Sequence, residues 1–82
     1  MYPRIKSVKT LPDFLLSVVF DDGRSVVYDV KEDMHLPGYN ILRETPGLFD
    51  AVQLDQSRTV LAWSEDVDLP SDIIYEYGIA TT

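Results

Sequence analysis

The chain has 82 residues, 45% of them apolar and 26% charged, with three Phe, five Tyr and one Trp. That is room for one small domain spanning 1–82, in a composition that excludes a disordered tail. The absence of Cys excludes disulfides, thiolate nucleophiles and Cys-ligated zinc, and a single His excludes a His-rich metal site. Seven Lys/Arg against fourteen Asp/Glu give a net charge of −7, which argues against non-specific binding to a phosphate backbone.

Taken in chain order, residues 4–10 (Arg-Ile-Lys-Ser-Val-Lys-Thr) form a weak strand. Ile5 and Val8 fall on opposite phases of its period, which predicts a bulge or an edge position. The clearest element is a hairpin. Phe14, Leu16, Val18 and Phe20 alternate with Leu15, Ser17 and Val19, and Val26, Tyr28 and Val30 alternate with Ser25, Val27 and Asp29. Asp21-Asp22-Gly23 lies between them and supplies a glycine for a left-handed position. A two-residue loop would mix polar and apolar side chains on one face. A three-residue loop with Gly23 as the bulge pairs Val18 with Val26, Leu16 with Tyr28 and Phe14 with Val30, burying far more apolar surface, and is therefore predicted.

After Val30 the alternation stops. Met34 to Gly38 reads as loop, Tyr39 to Glu44 as one or two helical turns, and Thr45-Pro46 as a cap and first position for a turn through Leu48-Phe49. A second hairpin joins Ala51–Asp55 to Thr59–Trp63 through a turn at Gln56-Ser57. The last element is a short helix with Pro70 near its start, Ile73, Ile74 and Tyr77 on one side and Gly78 as its stop. The fold class is α+β: a small antiparallel sheet of about five strands, short helical turns and a short C-terminal helix.

Charge is uneven along the chain. Residues 1–31 hold five Lys/Arg and four Asp/Glu, a net of +1, whereas residues 32–82 hold two and ten, a net of −8. Such a field attracts basic partners and repels phosphate backbones, but it also serves solubility alone, since surface charge has no necessary partner. The N-terminus has no apolar segment of signal-peptide type, and the longest apolar stretch, Phe14 to Phe20, is seven residues broken by Ser17, so the expected compartment is the cytoplasm.

The residues that could carry chemistry each have a structural reading beside the chemical one. Glu65, Asp66 and Asp68 are the densest acidic group near an aromatic residue. Hard cations take such oxygens, but three carboxylates this close in sequence cannot complete a shell, and Asp68 is expected to help cap the C-terminal helix. Asp21 and Asp22 read as turn residues that point apart, a geometry in which neither readily gains a perturbed pKa. His35 is the only side chain suited to base catalysis near neutral pH, in a loop with no nucleophile motif beside it. Arg4, Lys6 and Lys9 make a basic edge of the kind that keeps strands from associating. Trp63 and Tyr75 belong to the core or its margin. On the second face of the first hairpin, Leu15, Val19 and Val27 form an apolar patch if the helices cover only the other face, and such a patch needs a partner.

The run Phe20-Asp21-Asp22-Gly23, then Val27-Tyr28-Asp29-Val30, Leu42, Leu48-Phe49, Val52, and finally Trp63, Asp66-Val67-Asp68-Leu69 and Tyr75, resembles the DUF2442 family from about Ile5 to Gly78. The family comprises small bacterial domains of unassigned function. Some members are fused to a helix-turn-helix, and some resemble the antitoxin half of a two-gene pair. The resemblance brings no catalytic residue, and within these 82 residues no helix-turn-helix is expected. The resulting expectation is a non-catalytic interaction module, without cofactor or metal, whose partner is a second copy or a small basic protein. Glu65, Asp66 and Asp68 would face that partner, over an apolar interface at Leu15, Val19 and Val27. The alternatives are a small metal-binding or enzymatic domain, built on His35 and the acids, and an accessory to a DNA-binding regulator.

Overall fold

Alternation of side chains decides the architecture. In the computed structural model, which describes residues 2–64 and 67–81, strands β1 (Ile5–Leu11), β2 (Leu15–Phe20) and β3 (Ser25–Asp29) form an antiparallel meander. Leu16, Val18 and Phe20 of β2 and Val26 and Tyr28 of β3 are buried on one face, while Leu15, Ser17, Val19 and Val27 are half-buried on the other. The predicted register holds where the ladder runs: Val18 lies opposite Val26 and Leu16 opposite Tyr28. The Phe20 N–H donates to Arg24 O at 2.9 Å and the Gly23 N–H to Phe20 O at 3.0 Å, with Gly23 at φ +89°, so the loop is the three-residue one.

Phe14 does not extend the hairpin to Val30. Asp13 and Phe14 take φ of 66° and 60°, so the chain turns sharply after Leu11 and β2 begins at Leu15. Both answers to the phase problem in β1 are present. It is the sheet edge, and a register shift between Ile5 and Ser7 brings Ile5 opposite Phe20 and Val8 opposite Val18, on the same inner face.

Beyond the meander, a 3₁₀ turn (Val30–Asp33), the four-residue helix α1 (Ile41–Glu44) and a second 3₁₀ turn (Phe49–Ala51) lead to a second sheet. The second turn starts later than Pro46 suggests: Thr45 O accepts from the Leu48 N–H, and Leu48 is the residue that precedes the helical turn. The second sheet has the order β4-β5-β6, from β4 (Gln53–Leu54), β5 (Val60–Ser64) and β6 (Val67–Pro70). Helix α2 (Ser71–Tyr77) follows, and β7 (Ile79–Ala80) returns to β3, giving the first sheet the order β1-β2-β3-β7. The fold is thus α+β with two antiparallel sheets of four and three strands, against the single sheet of about five that was expected.

Three details of the C-terminal part correct the expectation. Asp68 lies within β6, and α2 is preceded by Pro70 with no side-chain cap, so Asp68 caps nothing. Within α2, Ile74 is buried, whereas Tyr77 is 69% exposed and Ile73 lies with it four residues away, on a different side from Ile74. Gly78 ends the helix in extended conformation (φ −70°, ψ 153°), so it does not serve as a left-handed cap.

Both sheets contribute to one core of Ile5, Leu16, Val18, Phe20, Val26, Leu61, Val67 and Leu69, closed by Leu42, Phe49, Trp63 and Ile74. Trp63 stacks on Phe49 (5.9 Å, 15°) and its Nε1–H donates to Phe49 O at 2.9 Å, so the indole is buried with its one donor satisfied. No helix among the described residues is long and apolar enough to cross a membrane.

Candidate functional site

A two-residue strand covers little of its neighbour. β7 pairs only with Val26 and Val27, so the Tyr28–Asp29 end of β3 extends past it. There α2 and the Val30–Asp33 turn stand apart and leave a groove of about 720 Å³. Its apolar wall comes from Leu15, Val27, Ile73, Tyr77 and Ile79. Ile79 (75% exposed) and Tyr77 (69%) are the two most exposed large apolar side chains of the described residues. Val27 and Ile79 are direct cross-strand neighbours on the outer sheet face, and Leu15 joins them from β2.

The opposite rim is acidic, formed by Asp29, Glu32 and Asp33. Each is held differently. Asp29 Oδ1 accepts from the Lys31 N–H at 2.9 Å and lies 3.2 Å from Lys31 Nζ. Asp33 Oδ2 accepts from the buried Tyr28 hydroxyl at 2.5 Å; burial and this carboxylate push the Tyr28 pKa up, so the phenol stays a donor. Glu32 is exposed and has neither hydrogen bond nor ion pair among the described residues. The site therefore joins an apolar floor to two committed carboxylates and one free one.

Lys31 links this rim to the turn before β2. Its ammonium donates to Asp13 O at 2.6 Å and to Asp13 Oδ2 at 3.0 Å, which raises its pKa through Asp13 first and Asp29 second. It thereby clamps the left-handed Asp13-Phe14 pair, while the Phe14 ring packs edge-on against Phe49 at 5.2 Å.

The residues singled out from the sequence distribute as follows. Leu15 and Val27 line the groove, whereas Val19 lies on the same sheet face at the far end of β2, opposite Ser7 and Ser25. Asp68 is exposed on β6, where its backbone carbonyl accepts from the Tyr39 hydroxyl; Glu65 and Asp66 lie outside the described residues. His35 is exposed in its loop, and Arg4, Lys6 and Lys9 are exposed on or beside β1. Among the described residues no group of three or more His, Asp or Glu is placed to hold a metal ion.

Asp21 and Asp22 point apart, and both have structural work. Asp21 makes a two-pronged ion pair with Arg58 (3.0 and 2.9 Å). Asp22 accepts from the Arg24 N–H (2.9 Å) and the Tyr75 hydroxyl (2.8 Å), and these bonds hold its pKa below the ordinary carboxylate value, against the expectation of an unperturbed turn acid. Tyr75 in turn packs edge-on against Phe20 (4.9 Å) and lies beneath the Arg24 guanidinium.

The rim acids Asp29, Glu32 and Asp33 were not singled out in the sequence. They are spread through a strand end and a turn, and only the fold of β3 into that turn assembles them beside Ile79.

A family model described as "Protein of unknown function (DUF2442)" matches residues 5–80. No curated protein and no solved structure matches the chain.

Proposed function

The chain belongs to the DUF2442 family, and from that premise we propose that it is a non-catalytic interaction module whose groove takes a basic, apolar-bearing segment of another protein. One observation carries the reading: the two most exposed large apolar side chains among the described residues, Tyr77 and Ile79, line the same groove as three carboxylates. Apolar surface supplies the affinity and the acidic rim selects the sign of the partner's charge. The net charge of −7 draws a cation to the molecule as a whole, and the groove determines where it stays. A small basic protein has the required chemistry. The antitoxin-like function expected from the family resemblance is the special case in which that protein is a toxin and docking masks it.

The test uses synthetic peptides of equal positive charge, one of Lys with polar residues and others of Lys with Val or Leu, titrated into the protein by calorimetry. The peptides with apolar residues should bind more tightly than the polar one. Glu32→Lys should weaken them about tenfold at low ionic strength, an effect that added salt removes. Ile79→Asp should weaken them further without changing the fold, since the side chain is 75% exposed. Equal affinity for polar and apolar peptides, unaffected by either substitution, would overturn the proposal.

A further inference from the structure

The four-stranded sheet ends differently on its two sides. Its β1 edge presents exposed Lys6 and Lys9 with Arg4 beside them, carries a bulge, and has the Ile5 N–H donating to Arg58 O at 2.8 Å. Charge and bulges are the usual means by which an edge refuses another strand. The β7 edge has neither charge nor bulge, and its one guard is its shortness: it consists of Ile79 and Ala80, both exposed. No described strand lies beyond it. The second sheet guards its β6 edge as well, with Pro70 in the strand and the Tyr39 hydroxyl on Asp68 O.

Register fixes which way the backbone of β7 faces. Phe20 and Arg24 bond directly, so counting by twos turns the amide groups of Val26 and Tyr28 toward β2 and those of Ser25 and Val27 toward β7. Val27 lies opposite Ile79, and the Thr81 N–H donates to Ser25 O at 2.8 Å. Ile79 and Thr81 therefore face inward, and Ala80 turns its N–H and C=O outward. A strand laid beside Ala80 gains that pair of bonds, and its flanking residues project onto the sheet face that carries Ile79 and Val27.

We infer that the partner docks by strand addition: an extended cationic segment of another protein pairs with Ala80, seats apolar side chains of one strand face over Ile79 and Val27, and sets a Lys or Arg of that same face against Asp29 and Glu32. This rests on the groove being the docking site, as proposed above, and adds the mode of recognition. The charge decides against a second copy, because pairing β7 with β7 would bring together two chains of −7 and two acidic rims.

The experiment compares two synthetic peptides of equal charge on the intact, isotope-labelled protein: an extended one with Val and Lys together on one strand face and Thr at the alternate positions, and one with Leu and Lys at helical spacing. Binding of the extended peptide should slow hydrogen exchange at the Ala80 amide. Ala80→Pro removes that N–H, which faces outward and so is dispensable to the sheet. It should weaken the extended peptide about tenfold or more and leave the helical one unchanged. If the proline variant does not fold, the exchange rate in the unsubstituted protein still decides. Binding with Ala80 unprotected and equal affinity for the proline variant would overturn strand addition while leaving the groove reading intact. Failure of both peptides to bind would overturn both. A dimer of the protein alone that Ala80→Pro dissolves would overturn the foreign partner in favour of a second copy.

Discussion

Gly78 shows how little space separates α2 from the sheet. A Cβ built there would lie 2.6 Å from the Ile74 carbonyl oxygen and 2.9 Å from Val26 Cγ2. The first of these is backbone and cannot swing aside, so Gly78→Ala should cost about 1–3 kcal/mol, read as a lower denaturant midpoint. The sequence marked this glycine as a helix stop, and the helix does stop there, but its role is close approach. Spacing along a chain reveals where a glycine falls and not what lies across from it. Trp63 is the reverse case, a core aromatic legible from its strand. Trp63→Phe keeps most of the burial, removes the donor to Phe49 O and should destabilise by roughly 1–3 kcal/mol.

Two carboxyl groups contribute to the acid limb of stability. Asp22 is held low by the Arg24 N–H and then the Tyr75 hydroxyl, and Asp55 by the Ser57 hydroxyl and then the Val60, Thr59 and Arg58 amides. A carboxyl whose folded pKa lies below its unfolded value of 3.8 stabilises above that value, and the contribution disappears as pH falls through the folded pKa. Thermal midpoints from about pH 6 to pH 2 should therefore fall, and the double variant Asp22→Asn, Asp55→Asn should show a shallower decline.

Among the elements, the β2–β3 hairpin was legible because eleven residues repeat one pattern and a wrong register would have exposed its core face. β6 and β7 were not. β6 offers two apolar residues in four and contains Pro70, and β7 is two residues long, so neither holds enough of a period to read. Both exist because a tertiary neighbour pairs with them. The turn at Asp13-Phe14 was equally hidden, since Phe14 gives no signal of a left-handed backbone and Asp13 only the weak one of a residue type enriched there. Lys31 holds that turn from 18 positions away. Lys31→Ala should speed amide exchange at Asp13 to Leu15 and lower the thermal midpoint, with Gly78 and α2 unaffected; an exchange pattern identical to the parent protein would remove the clamp from the account.

On the scale of the whole molecule, sign and shape were accessible to different degrees. The excess of acid after residue 31 is plain in the sequence, and it pointed to a cationic partner. Where that partner sits was not, because the rim of Asp29, Glu32 and Asp33 meets Ile73, Tyr77 and Ile79 only after the chain returns β7 to β3. The expected interface at Leu15, Val19 and Val27 comprised two of the groove's side chains and one at the other end of the sheet face. The most direct test maps backbone amide shifts of the labelled protein during titration with the Val/Lys peptide. Changes should concentrate at Leu15, Val27, Glu32, Ile73, Tyr77 and Ile79. Changes scattered over the exposed acids of the loops, with the groove silent, would mean that charge alone attracts the peptide and that the groove is not its docking site.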